Sequence, residues 1–239
     1  MSTNENNSEN LNGEIIQLMR QEGCNIVGFA DLRGLSKDVR QYFNYGIVMA
    51  LSYSKEAMSN LKNGDMLKYY EEWKPKPARL DELAVITEQY LVNKGYKAFA
   101  KKSSTIAFGE NYHTVLPHKT VATLSGLGWI GKCAMLITKD VGSALRLTTV
   151  LTNAPLKCGT PFTKSQCPSN CTACVEICPG KAPLGGQWES HIDRDIFFDA
   201  QACLKAARAR AKSLLGIEDT LCGLCVANCP FTMNALGYN

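Results

Sequence analysis

The sequence predicts an α/β domain over residues 11–156 followed by a small, cysteine-rich domain over 157–239, with a disordered tail at 1–10. Three observations carry this. Short β-branched segments alternate with helical ones up to about residue 155. Composition changes after Leu156, where proline and glycine become frequent and nine of the eleven cysteines fall. The first ten residues, "MSTNENNSEN", are polar and lack the basic-then-apolar profile of a signal peptide.

The elements follow in order. "LNGEIIQLMRQEG" has helical spacing, with Ile15, Ile16, Leu18 and Met19 on one side and Gly23 as its stop. "NIVGFADL" and "YGIVMALSY" read as strands. In "ARLDELAVITEQYLVNKG" Leu80, Leu83, Ile86, Tyr90 and Leu91 recur at three and four, and Gly95 closes the helix. "YKAFAKK" follows as a strand, and "KTVATLSGLG" as a short helix ending in glycine. "CAMLITKD" and "SALRLTTVLTN" are expected to form a hairpin through Asp140, Val141 and Gly142. One helix, "DAQACLKAARARAKSLLG", interrupts the second domain.

Bulk composition sets limits. The chain has 239 residues, 45% of them hydrophobic, so it can bury a sizeable core. A net charge of +4, from 26 basic and 22 acidic residues without a basic run, gives no reason to propose nucleic acid. No stretch approaches the roughly 18 apolar residues of a membrane span, and a cytoplasmic protein is expected. In a reducing compartment eleven cysteines, an odd number, point to metal rather than to disulfides.

The cysteine spacing sharpens this. The first group is Cys167-x3-Cys171-x2-Cys174-x3-Cys178-Pro179. The second is Cys203, then Cys222-x2-Cys225-x3-Cys229-Pro230. Two-cluster bacterial ferredoxins use such runs, and the last cysteine of each run reaches the other cluster. Cys167, Cys171, Cys174 and Cys229 are therefore expected to hold one [4Fe-4S] cluster. Cys178, Cys203, Cys222 and Cys225 are expected to hold the other. Two four-thiolate zinc sites are the alternative, and the paired C-P endings favour iron and sulfur. The x3 gap after Cys167 leaves Cys158 as its substitute. Cys24, Cys133 and Cys158 otherwise read as small buried hydrophobes.

The segment "GLGWIGKC" matches two phosphate-binding patterns at once, G-x-G-x-x-G and G-x4-G-K. Both need a strand before and a helix after, and here the predicted order is reversed. Cys133 stands where a P-loop needs Ser or Thr, and no acid follows about 20 residues on. A structural turn, or close backbone approach to another cofactor, remains.

"GLGWIGK", "GSALRLTTVLT" and the paired C-x2-C-x3-C-P together resemble the epoxyqueuosine reductase family, over about residues 25–232. Cobalamin-dependent reductive dehalogenases share its general plan. The resemblance implies a nitroreductase-like α/β domain that binds a corrinoid, fused to a two-cluster ferredoxin module. The clusters would reduce cobalt to Co(I), fed by a donor such as a flavodoxin or ferredoxin, and a small molecule would be reduced. The family's acid, in D-T-x-P-x-x-E-R, is replaced: "NYHTVLPHKTVA" has Tyr112 or His113 in its place. Dehalogenase relatives use a tyrosine as proton donor, so Tyr112 and His113 are the expected catalytic pair. Lys119, Gly126, Gly128, Lys132 and Ser143 are the expected cofactor-binding positions. Longer members continue into a domain that helps hold tRNA, whereas this sequence stops ten residues after Cys229, which disfavours tRNA as partner. No D-x-H-x-x-G pattern offers a histidine to cobalt.

Overall fold

The structure, a computed structural model, describes residues 2–102 and 109–238, with side chains from Ser8 onward. The chain runs through α1 (Ser2–Gln21), β1 (Ile26–Asp31), β2 (Tyr45–Ser52), α2 (Lys55–Lys62), α3 (Leu67–Trp73) and α4 (Lys76–Asn93). It continues with β3 (Ala98–Lys101), α5 (His118–Leu124), β4 (Gly128–Ile130), β5 (Leu136–Thr138) and β6 (Leu145–Thr152). The cysteine-rich part adds α6 (Ala173–Glu176), α7 (Ala200–Leu215), α8 (Leu224–Ala227) and α9 (Pro230–Leu236).

Four strands form an antiparallel sheet in the order β1-β2-β6-β3. Side chains alternate across it, as the period of two requires. Phe29, Ile47, Met49 and Val150 face α1 and α4, meeting Ile15, Met19, Leu80, Leu83 and Leu91. Val48, Ala50, Leu145 and Leu151 face the other way, onto Val121 and Ala122 of α5 and onto Phe197. Each fully buried aliphatic side chain contributes about 1.5–3 kcal/mol. Both faces are thus covered, which explains why β2 reads as a continuous apolar run.

Three expectations change. The first helix begins at Ser2, so residues 2–10, expected as a tail, form its opening turns. The hairpin of β5 with β6 does not form. β6 lies between β2 and β3 and spends both edges there, with Val150 opposite Ile47 and Ala100. β5 pairs instead with β4, which arises inside the glycine segment, Trp129 opposite Ile137. The Asp140–Gly142 turn survives as a bridge, Thr138 N–H donating to Gly142 O at 2.8 Å. Helices α2 and α3 were not expected. Ser54 caps α2 by accepting from Ala57 N–H at 3.0 Å. That pair closes a core with the C-terminal part: Met58, Leu61 and Tyr69 pack with Leu221, Val226 and Tyr238. Among the described residues no helix is long and apolar enough to cross a membrane.

Candidate functional site

Two single-turn helices arrange the thiols. Cys171 precedes α6 and Cys174 lies on it; Cys222 precedes α8 and Cys225 lies on it. Each run ends in Cys-Pro, and Pro230 opens α9, where its missing N–H costs nothing. The folding-back brings Cys229 to Cys167, Cys171 and Cys174, and these four line one small cavity. Cys203, delivered by α7, meets Cys178 and Cys222 in a second group. Burial first, then the nearness of Cys178 and Cys222, pushes the Cys203 thiol up to about 11. Cys225 lies beside Cys133. Cys158 is elsewhere: its thiol donates to Leu156 O at 3.5 Å, near Asp31 and Arg33. Cys24 is a core residue whose thiol donates to Ala50 O at 3.3 Å.

The thiols are not gathered as one ion would gather them. Sulfurs around a single zinc stand about 3.8 Å apart, from tetrahedral bonds of about 2.3 Å. Among the described residues, the group of three metal-capable side chains lying within 4.8 Å of one another is His113, Asp193 and Asp195, and it includes no cysteine.

The hairpin β4–β5 joins the thiols to the rest of the chain. Its tip is a tight turn, with Ala134 N–H donating to Gly131 O at 2.9 Å and Ala134 at φ +57°. The turn drives Lys132 and Cys133 toward the cysteines. Lys132 is 4% exposed, and its ammonium donates to Ser169 O at 2.9 Å and Cys171 O at 2.8 Å. Lys132 therefore clamps the first cysteine loop. The glycines serve packing. A Cβ on Gly128 would stand 2.0 Å from Ile137 O, and one on Gly126, at φ +78°, 2.7 Å from Thr160 O. Both backbones are in contact with this chain itself, so neither is brought to the cleft described next. Ser143 is not brought there either: its N–H donates to the Thr232 hydroxyl at 3.0 Å, tying β6 to α9.

On the cleft side of the same hairpin lies a cavity of about 710 Å³, lined by Thr120, Leu147, Phe162, Trp188 and Phe197 among others. That volume falls in the roughly 300–1,000 Å³ range of small-molecule sites. Lys119 is half-buried in its wall and donates to Ala134 O, holding the hairpin tip from this side. Burial lowers the Lys119 pKa. His118 shares a 2.8 Å hydrogen bond between Nδ1 and the Thr149 hydroxyl, while its covered Nε2 has no partner among the described residues. Burial, then the nearby Lys101, lowers its pKa to about 4, and Asp81 opposes this weakly.

Tyr112 and His113 sit at the cleft mouth. Asn111 and Tyr112 have φ of +49° and +60°, a left-handed pair that costs on the order of 1–3 kcal/mol each in ordinary side chains. Three contacts hold it. Asn111 Nδ2 donates to Asp195 Oδ2 at 3.0 Å, His113 Nε2 lies 3.1 Å from the same oxygen, and Arg194 donates to Asn111 O. Slight burial works to raise the Asp195 pKa, but bonds from Arg194, His113 and Asn111 outweigh it and hold the value at about 2. Asp195 and Arg194 escaped the sequence reading, because "DRD" on a loop looks like ordinary solvated charge. Cys133 was read as a core residue, and only its folding neighbours separate it from Cys24.

No family model matches the chain. Curated epoxyqueuosine reductases match at 25–40% identity over 20–56% of their own lengths. That of Atelocyanobacterium thalassa is 28% identical over 172 residues, 55% of this chain and 56% of the relative. An epoxyqueuosine reductase solved with an epoxyqueuosine-modified tRNA-Tyr stem loop superposes with TM-score 0.61 and 20% identity, over 96% of this chain and 67% of that one. Reductive dehalogenase structures, one of them describing B12-dependent dehalogenation, give TM-scores of 0.62–0.65 at 16–17% identity over 91% of this chain and 31% of theirs. The fold is thus the mixed α/β fold of these two groups of reductases. In sequence the chain is a relative of the epoxyqueuosine reductases, and it spans between a fifth and about half the length of those curated members.

Proposed function

We propose that the chain is an iron–sulfur oxidoreductase of epoxyqueuosine reductase type, which passes electrons through two [4Fe-4S] clusters to a small molecule reduced in the cleft. The observation that carries this reading is the meeting of Cys229 with Cys167, Cys171 and Cys174 around one cavity. Cys178, Cys203 and Cys222 form a second group, and Cys225 would be its fourth ligand. All eight are thiols, the donors that iron–sulfur clusters require. Their wide spacing suits a cubane better than a single zinc ion.

The cleft, at about 710 Å³, would take only part of a corrinoid, against walls that mix apolar side chains with polar ones such as His118, Lys119 and Arg194. Trp188, Phe162 and Leu147 are apolar residues that would hold it, with Lys119 as a cation in the same lining. When bound, it would supply a strongly reducing cobalt centre. The chain's own residues bind and orient the substrate, and the apolar walls exclude water. Tyr112 and His113, fixed at the mouth by Asp195, would deliver the proton that accompanies reduction. An external flavodoxin or ferredoxin would supply electrons.

Anaerobic reconstitution followed by addition of hydroxocobalamin tests the reading. About eight irons per chain and a retained corrinoid with a base-off visible spectrum are expected. Eight irons without corrinoid would leave an electron carrier. Zinc, or fewer irons, would overturn the proposal. A gel shift with tRNA at moderate salt is expected to show no retention; retention would replace the small-molecule substrate by tRNA.

A further inference from the structure

We infer that the indole N–H of Trp129 is a hydrogen-bond donor to sulfur of the first cluster, the one assigned to Cys167, Cys171, Cys174 and Cys229. The inference rests on the two-cluster reading and deepens it, because it names a residue outside both cysteine runs that sets one cluster's potential. Three observations carry it. Trp129 is 3% exposed, and its covered Nε1 has no hydrogen-bond partner among the described residues. Its side chain lies on the face of the β4–β5 hairpin that meets the first thiol set. Ile137, directly opposite it, lines the cavity of those four cysteines, and a Cβ on Gly131, two residues on, would stand 3.4 Å from Cys167 Sγ. Trp129, Ile137, Cys229 and Cys167 also pack in one cluster of side chains.

A buried indole N–H ordinarily finds an acceptor, and one left unmet in a folded chain marks a missing partner. The other side chains packed with Trp129 are Ile137, Phe162, Trp188 and Phe231, and none of them offers an oxygen or nitrogen acceptor. What remains in that cluster is the sulfur of Cys167 and Cys229. A cubane held by these cysteines would add sulfide acceptors in the cavity that Ile137 and Phe231 already line. Hydrogen bonds to cluster sulfur stabilise the more negative, reduced state and so raise its potential. Phe162, whose ring centre is 5.8 Å from that of Trp129, lines the cleft. The donor therefore stands in the wall between the first cluster and the cleft, and it tunes that cluster from the α/β side.

The test uses two full-length variants, Trp129→Phe and one carrying benzothienylalanine in place of Trp129. The second keeps the bicyclic shape and puts sulfur where the N–H stood. Both are purified and reconstituted without oxygen, and iron content and EPR-monitored redox titration are the readouts. Both are expected to keep the wild-type iron content and to lower one midpoint potential while the other stays in place. The expected shift is about threefold to tenfold in the reduction equilibrium, or about 30–60 mV for one electron. Two unmoved potentials would overturn the inference and leave the N–H to the Phe231 ring, 5.0 Å away at 78°. A shift in Trp129→Phe alone would assign the effect to ring volume, and equal movement of both potentials or loss of iron from both variants to general packing; each overturns the inference. If Trp129→Phe fails to fold, the benzothienyl variant decides by itself. Absence of two clusters in the wild type would instead overturn the functional reading on which the inference rests.

Discussion

Lowering the pH from 7 to 5 should cost the protein about 2 kcal/mol of stability through His118 alone. The folded pKa is depressed from 6.5 to about 4, chiefly by burial. The unfolded chain therefore binds this proton more readily than the folded one. The stabilisation is present above pH 6.5, is lost as the pH falls, and is gone below pH 4. The full span corresponds to about 3 kcal/mol, at about 1.36 kcal/mol per unit. Most of the loss to pH 5 lies within the first unit and a half below 6.5. His118→Gln removes the titration and keeps a polar group for the Thr149 hydroxyl. Urea unfolding of both proteins, at pH 7 and pH 5 without oxygen, isolates the effect, because every other titrating group is common to both. The gap between wild type and variant should shift by about 2 kcal/mol against the wild type at the lower pH. Parallel pH dependences would show that His118 is not held neutral by its surroundings, and the described packing around it would be wrong.

Other outcomes follow from the same geometry. Lys132→Met should destabilise by about 3 kcal/mol, because two charge-assisted hydrogen bonds to Ser169 O and Cys171 O vanish; a urea midpoint near wild type would refute this. Gly128→Ala should cost about 3 kcal/mol or more, since its methyl meets the Ile137 carbonyl and pries β4 from β5; an unchanged melting temperature would count against that contact. Cys167→Ala should lower the iron content of reconstituted protein, whereas Cys158→Ala should not, and the reverse result would exchange their roles. Tyr112→Phe should abolish turnover while leaving the cluster spectra intact; unchanged turnover would remove Tyr112 from the chemistry.

The elements with long apolar periodicity were legible. In α4, Leu80, Leu83 and Leu91 recur on one face, and all three are buried. β1 and β2 carry dense β-branched and aromatic runs because the sheet is covered on both sides. What failed was pairing. "LITKDVGSALRL" reads locally as a hairpin, and the turn does form, but β6 has two better partners far away in sequence. Nothing in a window of ten residues can weigh that competition. Helices α2 and α3 were missed because their apolar face is completed by Leu221, Val226 and Tyr238, well over a hundred residues on. The two cysteine runs were the clearest pattern in the sequence, and the fold brings Cys229 of the second to Cys167, Cys171 and Cys174 of the first. Ser143, Gly126 and Gly128, expected from the family resemblance to bind a cofactor, make close contacts within the chain, with Thr232, Thr160 and Ile137 respectively.

Lys119 reaches out of the cleft wall to the carbonyl of Ala134, next in sequence to Cys133. One ammonium thus latches the peptide that presents a thiol on the far side. A guest that drew this cation toward itself would slacken the turn and shift the sulfur. By thermodynamic reciprocity, whatever alters the sulfur's surroundings must alter the guest's grip to the same degree.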